Sequence, residues 1–332
     1  MSDILLSVRG LEKRFPQQAG LFSGGGGYVH AVQGISFDIP KACTLGIVGE
    51  SGCGKTTTAR LLLRVHEPDA GSLFFGPTPE PYSPELDFFK MKHRQMIRER
   101  LRMQYVFQDP YGSLDPKMLV RDLVTEPLSS SFRLSGTKFS HTERDRTAAE
   151  LCERVGLSAN DITRYAHEFS GGQRQRLSIA RALSVKPQLI VCDEPVSSLD
   201  VSIQGQILNL LNELQRQEGV SYLFIAHNLP VVFHVSDEVA VMYAGRIVER
   251  GPTEVMEQSA CHPYTHLLRM ASDPAFRGIL PDKAPDAAPD LVNPPIGCAF
   301  APRCPHSSEQ CLVTRPELTQ REPQHFVACH NA

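Results

Sequence analysis

The 332-residue chain is 41% hydrophobic and 21% charged, with a net charge of −3 and a pI of about 6.5. That is ordinary for two globular domains, or for one with a long extension, and gives no global reason to expect nucleic-acid binding. The start, MSDILLSVRG, has no charged stretch leading into an apolar one, so no signal peptide is expected. No apolar run approaches the ~20 residues that span a bilayer, so any membrane role is expected to be peripheral.

Val8–Pro40 reads as mainly antiparallel strands, with the glycine run 24–27 at a loop tip. Thr44–Val48 reads as a buried strand and Thr56–Val65 as a helix burying Leu61, Leu62 and Val65. Between them Gly49, Gly54, Lys55 and Thr56 fit G-x-x-x-x-G-K-[ST], and the strand–loop–helix context makes this a phosphate loop. Glycines admit an anion close to the backbone, and consecutive N–H groups at a helix N-terminus favour negative charge. Gly49, Glu50, Ser51, Gly52, Cys53, Gly54, Lys55, Thr56 and Thr57 are therefore expected to cradle a nucleotide's phosphates. Lys55 is expected to reach the β- and γ-phosphates, and Thr56 to hold Mg²⁺. Cys53 is either a small residue tolerated in the loop or a thiol of lowered pKa beside Lys55.

Residues 77–85, PTPEPYSPE, are too proline-rich for a helix interior and read as a loop. A charged helix is expected over Phe88–Arg100 and a helical subdomain over about 109–168. LIVCDE, residues 189–194, reads as a buried parallel strand delivering two carboxylates to the ligand end of a sheet. Asp193 is expected to bind Mg²⁺ through its water shell and Glu194 to polarise the attacking water as general base. In FSGGQRQRLSIARAL, residues 169–183, Ser170, Gly171 and Gly172 open a helix whose free N–H groups form a second anion site. Two phosphate-reading elements serve one nucleotide only when two chains meet head to tail.

The phosphate loop, F-S-G-G-Q and the D-E strand, in this order, resemble the nucleotide-binding subunit of an ABC transporter over roughly residues 8–250. Phe169 replaces the usual leucine. The resemblance implies an α/β P-loop NTPase fold: an α/β core sheet, an antiparallel β edge subdomain and an α-helical subdomain. It implies ATP and Mg²⁺ as ligands, and Lys55, Gln108, Glu194 and His227 as the catalytic set. Gln108 resembles the Q-loop residue that senses the γ-phosphate and Mg²⁺ and faces the membrane subunits. Ser170, Gly171, Gly172 and Gln173 resemble the signature, Ser198, Leu199 and Asp200 the D-loop at the dimer seam, and His227 the switch histidine. Phe15 best fits the adenine-stacking position, with Tyr28 as the alternative.

CHPYTHLLRM, 261–270, and VSSLDVSIQGQILNLL, 196–211, resemble the dipeptide/oligopeptide branch of ABC importers. That branch implies an ATPase domain over 1–250 and an extension over 251–332, with 284–295 as a proline-rich linker or strap. The extension holds Cys298, Cys304, Cys311 and Cys329. Clustered cysteines in a chain expected in a reducing compartment point to metal or redox chemistry rather than structural disulfides. Tetrahedral sulfur ligation suits Zn²⁺ or an iron–sulfur cluster. The spacing lacks both the close pair usual for zinc and the C-x₂-C-x₂-C run of common ferredoxins. The resemblance implies a [4Fe–4S] cluster, and its role is expected to be structural because nothing else in the chain looks redox-active. The alternatives are Zn²⁺, with His306, His325 or His330 replacing a cysteine, and reduced thiols or a disulfide.

The resemblance further implies a heterodimer with a paralogous ATPase, two permease subunits, and indirectly a substrate-binding protein, at the cytoplasmic face of the membrane and without nucleic acid. The cargo left open includes dipeptides, oligopeptides, glutathione, nickel and opines. A non-transport ABC ATPase acting on nucleic acid or ribosomes is the alternative. Its chromosome-organising forms need a long coiled coil that the stretch between Lys55 and Ser170 does not hold. Ribosomal forms usually carry two cassettes. A P-loop kinase or GTPase would leave SGGQ unexplained.

Overall fold

The computed structural model describes residues 3–17, 27–76, 83–272 and 289–332. The expected loop tip at 24–26, most of the loop at 77–85 and the start of the strap at 284–288 lie outside the described residues. In chain order the strands are β1 (Ile4–Pro16), β2 (Tyr28–Pro40), β3 (Thr44–Val48), β4 (Ala70–Phe75), β5 (Met103–Val106), β6 (Leu189–Asp193), β7 (Ser221–Ala226), β8 (Glu238–Tyr243), β9 (Arg246–Pro252), β10 (Thr319–Glu322) and β11 (His325–Val327). The helices up to the signature are α1 (Lys55–Leu62), α2 (His93–Arg102), α3 (Pro110–Ser113), α4 (Val120–Val124), α5 (Glu126–Ser135), α6 (His141–Arg154) and α7 (Gly171–Leu183). Then come α8 (Val201–Glu218), α9 (Leu229–Val235), α10 (Thr253–Ser259), α11 (Pro263–Ser272) and α12 (Glu309–Val313).

These elements form two compact units. The first comprises the described residues within Met1–Leu5, Ile39–Cys43 and Pro84–Phe224; the second those within Leu6–Asp38, Thr44–Ser83 and Ile225–Ala332. The extension belongs to the second unit because β11 pairs antiparallel with β9, Phe326 opposite Arg250 and Val327 opposite Glu249.

In the first unit β5 and β6 run parallel, with Val106 opposite Cys192. All five residues of β6 are buried, as a strand covered on both faces requires. Helices α3–α6 and the short 3₁₀ turns Ala159–Thr163 and Ala166–Glu168 fill the region expected to be a helical subdomain. The helix expected from Phe88 starts later. Asp87 caps a 3₁₀ turn over Phe88–Lys90, Met91 and Lys92 are extended, and α2 begins at His93.

In the second unit β3 lies parallel to β8, and β8 pairs antiparallel with β9. A separate sheet orders its strands β2-β1-β4, with β1 antiparallel to β4, which gives the expected antiparallel edge. Helix α1 ends at Leu62, and Arg64 takes a left-handed φ of 52°. That turn leaves Val65 63% exposed, whereas Leu61 and Leu62 are buried as expected. No helix among the described residues is long and apolar enough to cross a membrane.

Candidate nucleotide site and cysteine cluster

The second unit carries the phosphate loop between β3 and α1. Two of its glycines are required sterically. A Cβ at Gly49 would stand 2.1 Å from the Met242 carbonyl oxygen, and one at Gly54, whose φ is 107°, 2.2 Å from that of Ala31. The loop can therefore close on β8 and β2 only with bare backbone. Lys55 is buried, and its Nζ donates to the carbonyls of Gly49 at 2.7 Å and Glu50 at 3.0 Å. Ser51 and Gly52 are exposed, and Thr56 and Thr57 half-buried. Cys53 does not have the lowered pKa that its neighbour invites. It is 4% exposed, and burial pushes its thiol up against the pull of Lys55. His227 stands exposed just past β7. Phe15 packs edge-on against His66 with ring centroids 5.3 Å apart, and Tyr28 is exposed beside Arg14.

The first unit carries the acidic half. Parallel pairing of β5 and β6 brings their C-terminal ends together. There the Gln108 side-chain amide donates to Glu194 Oε2 at 3.1 Å. The Tyr105 hydroxyl donates to Asp193 Oδ2 at 2.6 Å. Asp193 is 3% exposed, so its carboxylate is fixed by a defined partner rather than by water. Glu194 has a φ of 47°, a left-handed conformation that costs a side-chain-bearing residue of order 1–3 kcal/mol. That kink ends the strand and turns the carboxylate out of the sheet to meet Gln108. Tyr105 was missed in the sequence, because a tyrosine one residue from a strand end carries no motif.

The signature helix α7 is capped reciprocally. Ser170 Oγ accepts from Gln173 N at 3.4 Å and Ser170 N donates to Gln173 Oε1 at 3.0 Å. Ser-x-x-Gln is thus a capping box as well as a signature. Phe169 is buried under Arg164, whose guanidinium carbon lies 4.3 Å from the ring centroid, so the aromatic is accommodated. A Cβ at Gly172 would stand 2.6 Å from Ile203 of α8, and one at Gly171 3.4 Å from Leu199. The glycines therefore let the signature lie directly on the Ser198–Leu199–Asp200 turn. Gln204 locks that turn by donating to the carbonyls of Val196 and Leu199, each at 3.0 Å.

In the extension, Cys298, Cys304, Cys311 and Cys329 all line one small cavity with His262, Phe300 and Asn331. None is in a disulfide. Backbone N–H groups point at the sulfurs: those of Phe300 and Ala301 at Cys298, that of His306 at Cys304, and that of Asn331 at Cys329 at 3.4 Å. The Asn331 amide reaches the Cys311 sulfur at 3.8 Å. Burial pushes the Cys298 and Cys304 thiols up, and these N–H groups oppose it. Among the described residues, no three of these cysteines bring their sulfurs within 4.8 Å of one another. A single zinc ion would need its thiolates roughly 3.8 Å apart at ordinary Zn–S lengths. His325 does not join them. It is buried, with Nε2 2.9 Å from Glu249 Oε1. His330 Nε2 meets the Thr314 carbonyl at 2.9 Å.

A phosphate loop, a strand ending in two acids, and a capped SGGQ helix lying on a D-loop define an ATPase of the ATP-binding-cassette class. Residues 32–197 match the ABC transporter family profile, and residues 248–311 match the one described as oligopeptide/dipeptide transporter, C-terminal region. The chain belongs to the ABC transporter family, with the C-terminal region of its oligopeptide/dipeptide members.

It is 44% identical to the probable peptide ABC transporter ATP-binding protein y4tS of Sinorhizobium fredii (strain NBRC 101917 / NGR234), across 99% of this chain and 90% of that one. It is 43% identical to the oligopeptide transport ATP-binding protein AppF of Bacillus subtilis (strain 168), across 99% and 97%. Among solved structures, cbiO1 from Clostridium perfringens, part of the ABC transporter complex cbiONQ, superposes with a TM-score of 0.60 at 27% identity over 78% of this chain and 92% of that one. The dimeric post-hydrolysis state of the cassette MJ0796, bound to ADP and Pi, shares the fold, with a TM-score of 0.62 at 22% identity over 75% and 99%.

Proposed function

We propose that this ATPase powers uptake of di- or oligopeptides through a membrane permease. The observation that carries the reading is a match that runs the length of the chain, extension included, to relatives named as peptide-transport ATP-binding proteins. Residues 1–250 do the ATP chemistry and 251–332 form the branch-specific extension. Lys55 and the loop N–H groups bind the β- and γ-phosphates, while Thr56, Gln108 and Asp193 hold Mg²⁺. Glu194 orients and deprotonates water, His227 clamps the γ-phosphate, and Phe15 stacks on adenine. Ser170, Gly171, Gly172 and Gln173, with Asp200, serve the nucleotide of the facing ATPase. That facing chain is a paralogue, and the pair sits on two permeases at the cytoplasmic face, with a substrate-binding protein delivering cargo to them.

The four tail cysteines hold a [4Fe–4S] cluster in this reading. Support comes from four thiols around one cavity and N–H groups aimed at their sulfurs. The cluster supplies cross-linking of a short segment, and the chain's own residues do the rest.

Replacing Lys55 by Ala in the host is expected to abolish uptake of labelled oligopeptides and leave free amino-acid uptake intact. Undiminished peptide uptake overturns the transport reading. Anaerobic purification is expected to yield about four irons and four sulfides per chain, lost with Cys304→Ser. Zinc alone, or no metal, removes the cluster.

A further inference from the structure

Two side chains of the extension reach the phosphate loop, and both meet it at Glu50. The Tyr264 hydroxyl accepts from the Glu50 N–H at 2.8 Å. The Arg303 guanidinium grips the Glu50 carboxylate through two parallel bonds, Nη1 to Oε2 at 2.8 Å and Nη2 to Oε1 at 2.9 Å. The Glu50 carbonyl, in turn, is one of the two that accept from Lys55 Nζ. One residue therefore joins the extension to the lysine of the loop.

Both anchors are rigidly mounted. Tyr264 is fully buried, with ring centroids 4.6 Å from Tyr243 and 5.4 Å from Phe300. Arg303 is 13% exposed and lies over the same two rings at 5.9 and 5.8 Å. It ends the 3₁₀ turn Ala301–Arg303, which Ala301 N ties to the Cys298 carbonyl at 3.1 Å and Cys304 N to the Ala301 carbonyl at 3.2 Å. A glycine-rich loop has few side chains with which to pack itself, so its order must come from neighbours. A bidentate arginine–carboxylate pair fixes orientation as well as distance, which a lysine would not do.

We propose that Arg303 and Tyr264 are positioning residues for the phosphate loop, acting through Glu50, so that nucleotide affinity depends on the C-terminal extension. The turn that carries Arg303, bracketed by Cys298 and Cys304, thereby becomes mechanically linked to ATP binding. This rests on the ATP-binding reading of the loop; a wild-type chain that failed to bind Mg·ATP would remove that reading instead.

The test uses the purified full chain and measures Mg·ATP affinity by titration calorimetry, with KM and kcat for hydrolysis beside it. Arg303→Gln is expected to raise Kd and KM about tenfold, the scale of one charged hydrogen-bond pair at a half-exposed position, while kcat moves less than twofold. Arg303→Lys should recover part of the loss. The double variant Arg303→Gln with Glu50→Gln should be no worse than Arg303→Gln alone. A Kd within twofold of wild type for Arg303→Gln, or losses that multiply in the double variant, overturns the proposal. If Arg303→Gln fails to fold, Tyr264→Phe decides, since it deletes only the accepting oxygen. A raised KM at constant kcat supports the proposal, and unchanged affinity overturns it.

Discussion

Glu249 is the buried carboxylate on which the start of the extension hangs, and its removal should release that segment. The residue is wholly inaccessible and accepts three hydrogen bonds: Cys261 N at 2.6 Å, His262 N at 3.0 Å and His325 Nε2 at 2.9 Å. The first two are the backbone leading into α11, and the third belongs to β11. Glu249→Ala strands all three donors. Each buried orphan costs about 1–3 kcal/mol, and water entering the new cavity offsets part of that, so the expected loss is about 3–5 kcal/mol. Glu249→Gln keeps the shape and one carbonyl oxygen but turns an NH₂ toward a donor, and should cost about 2–3 kcal/mol. The assay is urea unfolding followed by far-UV circular dichroism, with limited proteolysis to locate the first segment released. A loss below about 1 kcal/mol for both variants would refute the reasoning, since it would mean the three bonds contribute no more than a solvated carboxylate does.

His262 supplies a pH dependence. It is buried, its Nδ1 accepts from Tyr264 N at 3.1 Å, and burial lowers its pKa from 6.5 to about 4. The unfolded chain binds the proton first, so stability is complete above pH 6.5 and falls as pH drops toward 4, by up to about 3 kcal/mol. His262→Asn, which keeps an acceptor for the same N–H, should flatten the urea midpoint across that window; an unchanged slope contradicts the assignment. Gly54→Ala places a Cβ 2.2 Å from the Ala31 carbonyl oxygen and should abolish Mg·ATP binding, measured by calorimetry; retained affinity would mean that the loop reshapes freely. Cys53, with its thiol pushed up by burial, should react with iodoacetamide at pH 7.5 about tenfold or more slowly than free cysteine, as followed by mass spectrometry. Equal rates would contradict that burial.

Most of the ATP-binding half of this protein was legible because its chemistry is local. Gly49, Gly54, Lys55 and Thr56 lie within eight consecutive residues, and strand and helix periodicity brackets them on both sides. The strand Leu189–Asp193 and the helix opened by SGGQ were equally readable, whereas the reciprocal Ser170–Gln173 cap emerged only in the structure. Most of what escaped was long-range. Nothing in ESGCGK announces that Glu50 will be held by Arg303, 253 positions on, and nothing in DEVAVMY or GRIVERG says that Glu249 will receive the backbone at Cys261. Strands β10 and β11 were missed because both are short, and β11 joins the sheet only through β9, remote in sequence. Val65 and the break before α2 were missed because single backbone turns, at Arg64 and at Met91–Lys92, overrode a regular helical pattern.

This chain is an ABC-type ATPase, and we propose that its general base is Glu194 and that a facing signature closes its site. The most direct measurement is phosphate release by Glu194→Gln mixed with its facing paralogue, with sedimentation of the same sample in Mg·ATP. Loss of general-base chemistry should lower turnover by about 100-fold or more while ATP binding is retained, and the trapped nucleotide should hold the cassettes together as a dimer that dissociates on ATP removal. Near-normal phosphate release from a mixture in which the two ATPases do not associate in ATP would contradict both the assignment of Glu194 and the head-to-tail site.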